Sequence, residues 1–111
     1  MQMSFDAQNS GVMVARPVGR LDLLSAAEAK ARLSETAAGG HPRLVIDLAG
    51  VSFIDSTGLG ALIGALKAAR QHGGDLRLAS PTDQATMLLS VTALDRVMKP
   101  YASVEDALAG Y

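Results

Sequence analysis

The sequence lacks several residue types and patterns, and each absence excludes a class of function. Without cysteine, the chain has no disulfide bonds, thiol catalysis or thiolate metal ligands. Tryptophan is absent and aromatic residues make up only 4%, so we expect an aliphatic core. The formal net charge of -1 gives no reason to expect the strongly basic surface with which proteins bind nucleic acid or anionic membranes.

The sequence also has no apolar run that approaches the ~20 residues of a transmembrane helix, so no membrane insertion is expected. The first ten residues contain Asp6 and no basic residue, and no apolar segment typical of a signal peptide follows them. These features predict a cytoplasmic protein. With 111 residues, of which 49% are hydrophobic and 19% charged, the chain is typical of one globular domain, predicted to cover residues 1–111.

Hydrophobic periodicity and turn residues predict alternating strands and helices. Two short strands flank the turn Asn9-Ser10-Gly11 and predict an N-terminal hairpin. Ser25 is predicted to cap the first helix, with Glu28 as its capping-box partner. We therefore predict an α/β fold in which about four helices flank a mixed sheet of four to five strands. The predicted strands are residues 3–7, 12–18, 44–48 and 76–79 with an edge strand at 97–98, and three of the predicted helices are residues 24–37, 81–90 and 103–109. The remaining helix follows the turn at residues 55–58, has an apolar face between residues 59 and 69, and ends at Gly73-Gly74.

The most informative segment is Asp55-Ser56-Thr57-Gly58, which joins a strand-like apolar stretch to a helix. A hydroxyl at a helix start faces free backbone N–H groups and the positive end of the helix dipole, so a phosphate there would be electrostatically favoured. We interpret Ser56 as a switch residue that accepts a phosphate. The alternative is that Ser56 simply caps the helix, a position that serine favours for structural reasons alone.

Three aspartates are predicted to form the surroundings of Ser56, together with Thr57 and Gly58. Asp22, Asp47 and Asp55 each end a strand-like segment and are expected to converge near the serine. Such acids most often cap turns or orient a hydroxyl. A divalent cation site is a less favoured alternative, and no metal is expected.

Small residues dominate the start of the helix after Ser56. Each glycine inside a helix costs ~1 kcal/mol relative to alanine, which indicates either close packing or a docking surface. The glycines match neither the Walker pattern nor the dinucleotide-binding pattern, so no nucleotide cofactor is expected. We predict that this helix binds a partner protein, and the residues predicted to contribute are Leu59, Gly60, Ala61, Gly64 and Lys67.

Hydrolytic catalysis by Ser56 is the third alternative. A serine nucleophile needs a base, but the only histidines, His41 and His72, each stand beside a glycine in a predicted surface loop. Neither is a convincing base. We therefore expect no catalytic residue, and the chain is predicted not to be an enzyme.

Residues 45–78 resemble the STAS domain, which is shared by anti-sigma factor antagonists and the cytoplasmic tails of sulphate transporters. The specific part of the resemblance is Asp-Ser-Thr-Gly-Leu-Gly at residues 55–60. The likeness extends over nearly the whole chain, through Gly19-Arg20-Leu21-Asp22, Ala79-Ser80-Pro81, Leu94-Asp95-Arg96-Val97 and residues 103–108. Arg20 stands where an acidic residue is common, and Thr92-Ala93 replaces a frequent glycine-containing turn.

The resemblance implies a partner-switching regulator of sigma-factor-dependent transcription. In that family the serine matching Ser56 is phosphorylated by an anti-sigma factor that is a serine kinase with a histidine-kinase-like ATP site. The unphosphorylated antagonist binds the anti-sigma factor, the phosphorylated form is released, and a serine phosphatase restores binding. A monomer or weak dimer is expected, and the alternative role is an accessory subunit of a membrane transporter of the lipid-export ATPase type.

Overall fold

The computed structural model describes residues 1–111 and contains six strands and four α-helices. Strand β4 is additional to the four or five strands predicted. No helix is long and apolar enough to cross a membrane. In chain order, the elements are β1 (Gln2–Ala7), β2 (Met13–Leu21), α1 (Ala26–Ala38), β3 (Arg43–Asp47), β4 (Val51–Ile54), α2 (Ser56–Gln71), β5 (Asp75–Ala79), α3 (Asp83–Val91), β6 (Pro100–Tyr101) and α4 (Val104–Leu108), with a 3-10 turn at Leu94–Arg96 before β6.

The sheet is mixed, as the sequence predicts. Strands β1 and β2 form the N-terminal antiparallel hairpin, and all other strand pairs are parallel, in the order β1-β2-β3-β5-β6. The long strand β2 has two different neighbours on one side: its first half pairs with β3, and its last residues, Gly19–Leu21, pair with β4. Strand β4 therefore lies beyond the end of β3, and it delivers the start of α2 to the end of β2.

Two predictions about local structure were wrong. Residues 97–98 form no strand, because the N–H groups of Val97 and Met98 donate to the Leu94 carbonyl at 3.0 and 2.8 Å and so belong to the 3-10 turn. The edge strand is Pro100–Tyr101. The Ser25 hydroxyl forms no capping bond to α1. It donates to the Arg20 carbonyl at 2.7 Å and accepts from the Asp22 N–H at 3.1 Å, so it fastens the end of β2 to the helix start.

The core occupies both faces of the sheet because β3 is buried on both sides. Leu44 and Ile46 belong to a cluster of 20 buried residues that includes the inner faces of α1 and α2. Val45 points to the opposite face, where it packs with Ala107 of α4. The short apolar run at residues 44–48, broken only by Asp47, is typical of a central strand and reflects this two-sided burial.

Helix α2 lies unusually close to the end of β2, and Gly58 is the residue that permits it. A Cβ atom on Gly58 would stand 2.0 Å from the Leu21 carbonyl oxygen, which is a severe backbone clash. Gly60 is different, because a Cβ atom there would have nothing within 4 Å. Close packing thus explains the first glycine of the helix but not the second.

A matched pair of substitutions tests this distinction. Gly58→Ala should lower the free energy of unfolding by ~3 kcal/mol or more, since α2 must move away from β2. Gly60→Ala should raise it by ~0.5–1 kcal/mol through helix propensity alone. Urea unfolding of both variants measures the difference, and equal effects at the two positions would contradict the structure.

Tyr111 fastens the chain beyond α4 to strands β3 and β5. Its hydroxyl donates to the Asp75 carbonyl and accepts from the Leu44 N–H at 2.9 Å, and its ring lies 4.3 Å from the Arg77 guanidinium carbon. Burial raises the pKa of Tyr111 to about 12 from an ordinary value of 10.0. The neutral phenol is therefore favoured in the folded state.

This shift predicts how stability depends on alkaline pH. Because the folded-state pKa lies above the unfolded one, the contribution of Tyr111 is complete below pH 10 and decreases as the pH rises toward about 12. At neutral pH, Tyr111→Phe should cost ~1–2 kcal/mol, because the Leu44 N–H loses its acceptor. Urea unfolding at pH 8, 10 and 11 should show that the wild type and Tyr111→Phe become more similar in free energy of unfolding as the pH rises. A difference that stays constant would contradict the raised pKa of Tyr111.

Candidate functional site

The turn that begins α2 is organised by the carboxylate of Asp55. This residue is the N-cap of α2, with Oδ1 accepting from the Gly58 N–H at 2.8 Å. Its Oδ2 accepts from the Leu23 N–H at 3.2 Å, and its own N–H donates to the Leu21 carbonyl at 3.2 Å. One side chain therefore joins the start of α2 to the loop between β2 and α1.

Ser56 is the first residue of α2 and lies on the surface. Since Asp55 already caps the helix, the alternative that Ser56 serves as the cap is wrong. The Ser56 hydroxyl forms no hydrogen bond to any other group of the protein. The Ser56 hydroxyl is therefore accessible at the N-terminus of a helix, and no hydrogen bond gives it a structural role.

Gln84 holds the strand that precedes this turn. Strand β4 has only β2 as a neighbour, and the Gln84 amide pairs with its free edge. The Gln84 Oε1 accepts from the Ile54 N–H at 3.0 Å, and its Nε2 donates to the Ile54 carbonyl at 2.7 Å. Sequence reasoning missed Gln84, because a glutamine in the first turn of a helix carries no signal that it completes a distant strand.

Asp22 supports the loop from the other side. Its Oδ1 accepts from the Leu24 N–H at 3.1 Å, and its Oδ2 lies 3.1 Å from Arg20 Nε. The hydrogen bond from Arg20 lowers the pKa of the Asp22 carboxyl below its ordinary value. Asp22 and Asp55 thus hold a loop whose two leucines, Leu23 and Leu24, are 72% and 93% exposed.

Asp47, the third predicted aspartate, belongs to a different network. Its Oδ2 lies 3.4 Å from Arg16 Nε, and its Oδ1 accepts from the Ala49 N–H at 3.0 Å. Ile46 pairs with Ala15, so Asp47 stands at the level of Arg16, five residues or roughly 16 Å before the end of β2. The expected convergence of the three acids was wrong for Asp47, and no group of three or more acids or histidines could hold a metal ion.

Two of the residues predicted to bind a partner are buried. Leu59 is only 2% exposed and lies in the main core, so its prediction as a contact residue was wrong. Ala61 is 5% exposed. Gly60 and Lys67 are exposed, and Gly64 is partly covered by the side chain of Lys30 from α1.

Helices α1 and α2 leave a groove of about 260 Å³ between them, next to Ser56. Thr57 is exposed and forms one wall of this groove at the start of α2. Its hydroxyl, like that of Ser56, forms no hydrogen bond to other protein groups. The residues that line the groove are Ala26, Ala27, Lys30, Thr57, Gly60 and Ala61.

Neither histidine can serve Ser56 as a base. His72 follows the last residue of α2, and 16 helical residues, about 24 Å, separate it from the serine. His41 precedes β3, at the amino-terminal ends of the parallel strands, whereas Ser56 lies at the carboxyl end of β4. The structure therefore gives no support to a hydrolase that uses Ser56.

Comparison with known proteins places this geometry in a family. The family model of the STAS domain matches residues 6–107. A Thermotoga neapolitana protein named as an anti-sigma factor antagonist homologue is 36% identical over 69 residues, which cover 62% of this chain and 61% of the relative. The chain thus spans about three fifths of the length of the Thermotoga relatives that it matches.

Two further matches extend over more of the chain. The anti-sigma-B factor antagonist of Staphylococcus aureus is 32% identical over 80 residues, covering 72% of this chain and 74% of the relative. A crystal structure of a Thermotoga maritima protein described as an anti-sigma factor antagonist superposes with a TM-score of 0.88 at 27% identity, covering 96% of this chain and 91% of the other. The fold, the matched residues and these relatives together show that the chain belongs to the STAS-domain family.

Proposed function

We propose that this protein is an anti-sigma factor antagonist that exchanges partners through phosphorylation of Ser56. In this mechanism the unmodified protein binds a kinase-type anti-sigma factor, phosphorylation releases it, and a serine phosphatase resets the cycle. The protein performs no catalysis itself. The observation that carries the proposal is the exposed Ser56 hydroxyl, which forms no hydrogen bond within the protein because Asp55 already caps the helix. The names of the relatives support the same regulatory class.

A phosphate on Ser56 would change an interface without disturbing the fold. It adds ~1.5–2 negative charges at the positive end of the α2 dipole, where the first backbone N–H groups favour an anion. No hydrogen bond has to break, because the Ser56 hydroxyl forms none within the protein. If the added charge weakens association by ~2–4 kcal/mol, affinity falls roughly 30- to 1,000-fold, which is enough to exchange one partner for another.

The decisive experiment measures phosphorylation by intact mass. The protein is incubated with ATP and each purified anti-sigma factor kinase encoded in the source genome. We expect the mass of one phosphate on the wild type and on Thr57→Ala, and none on Ser56→Ala. Thr57→Ala is the matched control, because it removes the neighbouring exposed hydroxyl and leaves the proposed site intact.

Binding supplies the second half of the test. Unmodified wild type and Ser56→Ala should both bind the kinase, and only the wild type should be released after ATP is added. Phosphate on Ser56→Ala, or phosphorylated wild type that binds as tightly as before, would refute the switch. Copurification with a membrane ATPase and no phosphorylation would favour the transporter subunit instead.

The different roles of Asp55 and Ser56 predict that their alanine variants differ in stability. Ser56→Ala should change the free energy of unfolding by less than ~0.5 kcal/mol, since no hydrogen bond is lost. Asp55→Ala should cost ~1–2 kcal/mol, because it removes the helix cap and the acceptor of the Leu23 N–H. Thermal and urea unfolding of the two variants provide the comparison, and a large loss in Ser56→Ala alone would reverse the assignment of the cap.

A further inference from the structure

We propose that the groove between α1 and α2 binds a segment of the partner anti-sigma factor that carries an apolar side chain and a carboxylate, with Lys30 pairing the carboxylate. This inference rests on the proposed function and names the chemistry by which the partner is held. It concerns a surface next to Ser56, not the serine itself.

The groove has an apolar floor and one cation. Its buried floor residues, Ala26 and Ala61, are 6% and 5% exposed, so a side chain entering the groove meets methyl groups and backbone. Only Thr57 and Lys30 bring polar side chains to its walls. A volume of about 260 Å³ is enough for one or two side chains of a partner.

Lys30 is a cation without a partner in the protein. All four ion pairs of the structure use arginine, and none uses a lysine. The Lys30 stem crosses α2 at Gly64, where a Cβ atom would stand 2.6 Å from Lys30 Cε. The absence of a side chain at Gly64 therefore lets the lysine lie against α2, with its ammonium group beside an apolar surface. Charge complementarity favours an acidic group on whatever occupies the groove.

Gly60 keeps the groove open. A Cβ atom at this position would meet nothing within 4 Å, so no contact inside the protein requires a glycine there. Glycine costs ~1 kcal/mol relative to alanine in a helix. A docking surface accounts for this cost, because any side chain at residue 60 would project into the space that the partner needs.

The position of the groove also explains the direction of the switch. Thr57, the residue after Ser56, forms part of its wall. A phosphate on Ser56 would place ~1.5–2 negative charges at this end of the groove, about two helical turns from Gly64, where the Lys30 side chain lies. There it would repel an acidic segment bound in the groove. Phosphorylation thus opposes binding because the bound segment is itself acidic.

The test measures the affinity of the unmodified protein for the purified kinase-type anti-sigma factor by titration calorimetry. Lys30→Met keeps the aliphatic stem and should weaken binding about tenfold, and Lys30→Glu should weaken it further. Gly60→Leu fills the groove, and its affinity for the anti-sigma factor should also be at least about tenfold lower than that of the wild type. Lys99→Glu makes the same charge change on an exposed lysine outside the groove and should bind like the wild type.

The salt dependence separates charge from shape. Wild-type affinity should fall more steeply with added salt than that of Lys30→Met, because only the wild type has the pairing cation. Circular dichroism and urea unfolding confirm that each variant is folded, and Gly60→Leu is expected to be at least as stable as the wild type.

The outcomes separate the two proposals. If the wild type binds and is phosphorylated at Ser56 while Lys30→Glu and Gly60→Leu bind equally well, the groove proposal is overturned and the switch stands. If the wild type neither binds nor accepts a phosphate, the proposed function fails and the groove proposal falls with it. Loss of affinity in both groove variants but not in Lys99→Glu supports the inference.

Discussion

The contact between the start of α2 and the end of β2 determines the geometry on which the rest of the site depends. Gly58 allows the helix to approach the Leu21 carbonyl, and the Asp55 carboxylate ties the same turn to the Leu23 N–H. These contacts fix both the first turn of α2 and the loop that leads into α1. Because α1 and α2 both start at the end of β2, these contacts fix the position of the groove between the helices relative to Ser56.

Asp55 and Ser56, which are neighbours in this turn, have different roles. Asp55 satisfies the helix start and holds the loop, so the fold does not depend on the hydroxyl that follows. A regulatory modification of Ser56 can then alter charge at the surface while the core, which lies behind Leu59 and Leu62, stays packed. This separation is what allows a stable domain to carry a reversible switch.

Most of the fold and part of the site could be predicted from the sequence, because periodicity and turn residues are local signals. The hairpin, the two-sided burial of β3 and the extent of α2 follow from such signals. The position of Asp47 does not, since it depends on β2 pairing with two successive strands, which is a matter of long-range register. The role of Gln84 depends likewise on a contact between residues that are 30 positions apart.

The Gln84 amide has a consequence for how any partner can approach. An uncovered strand edge offers free N–H and C=O groups to which another chain can add a strand. At β4 the N–H and C=O groups of Ile54 are already occupied by the glutamine, so an added strand cannot pair with this residue, which lies two positions before the serine. Beside the serine, the backbone of Ile54 is therefore closed to a partner strand, and side chains and surface charge are what a partner meets there. Charge is the property that a phosphate changes.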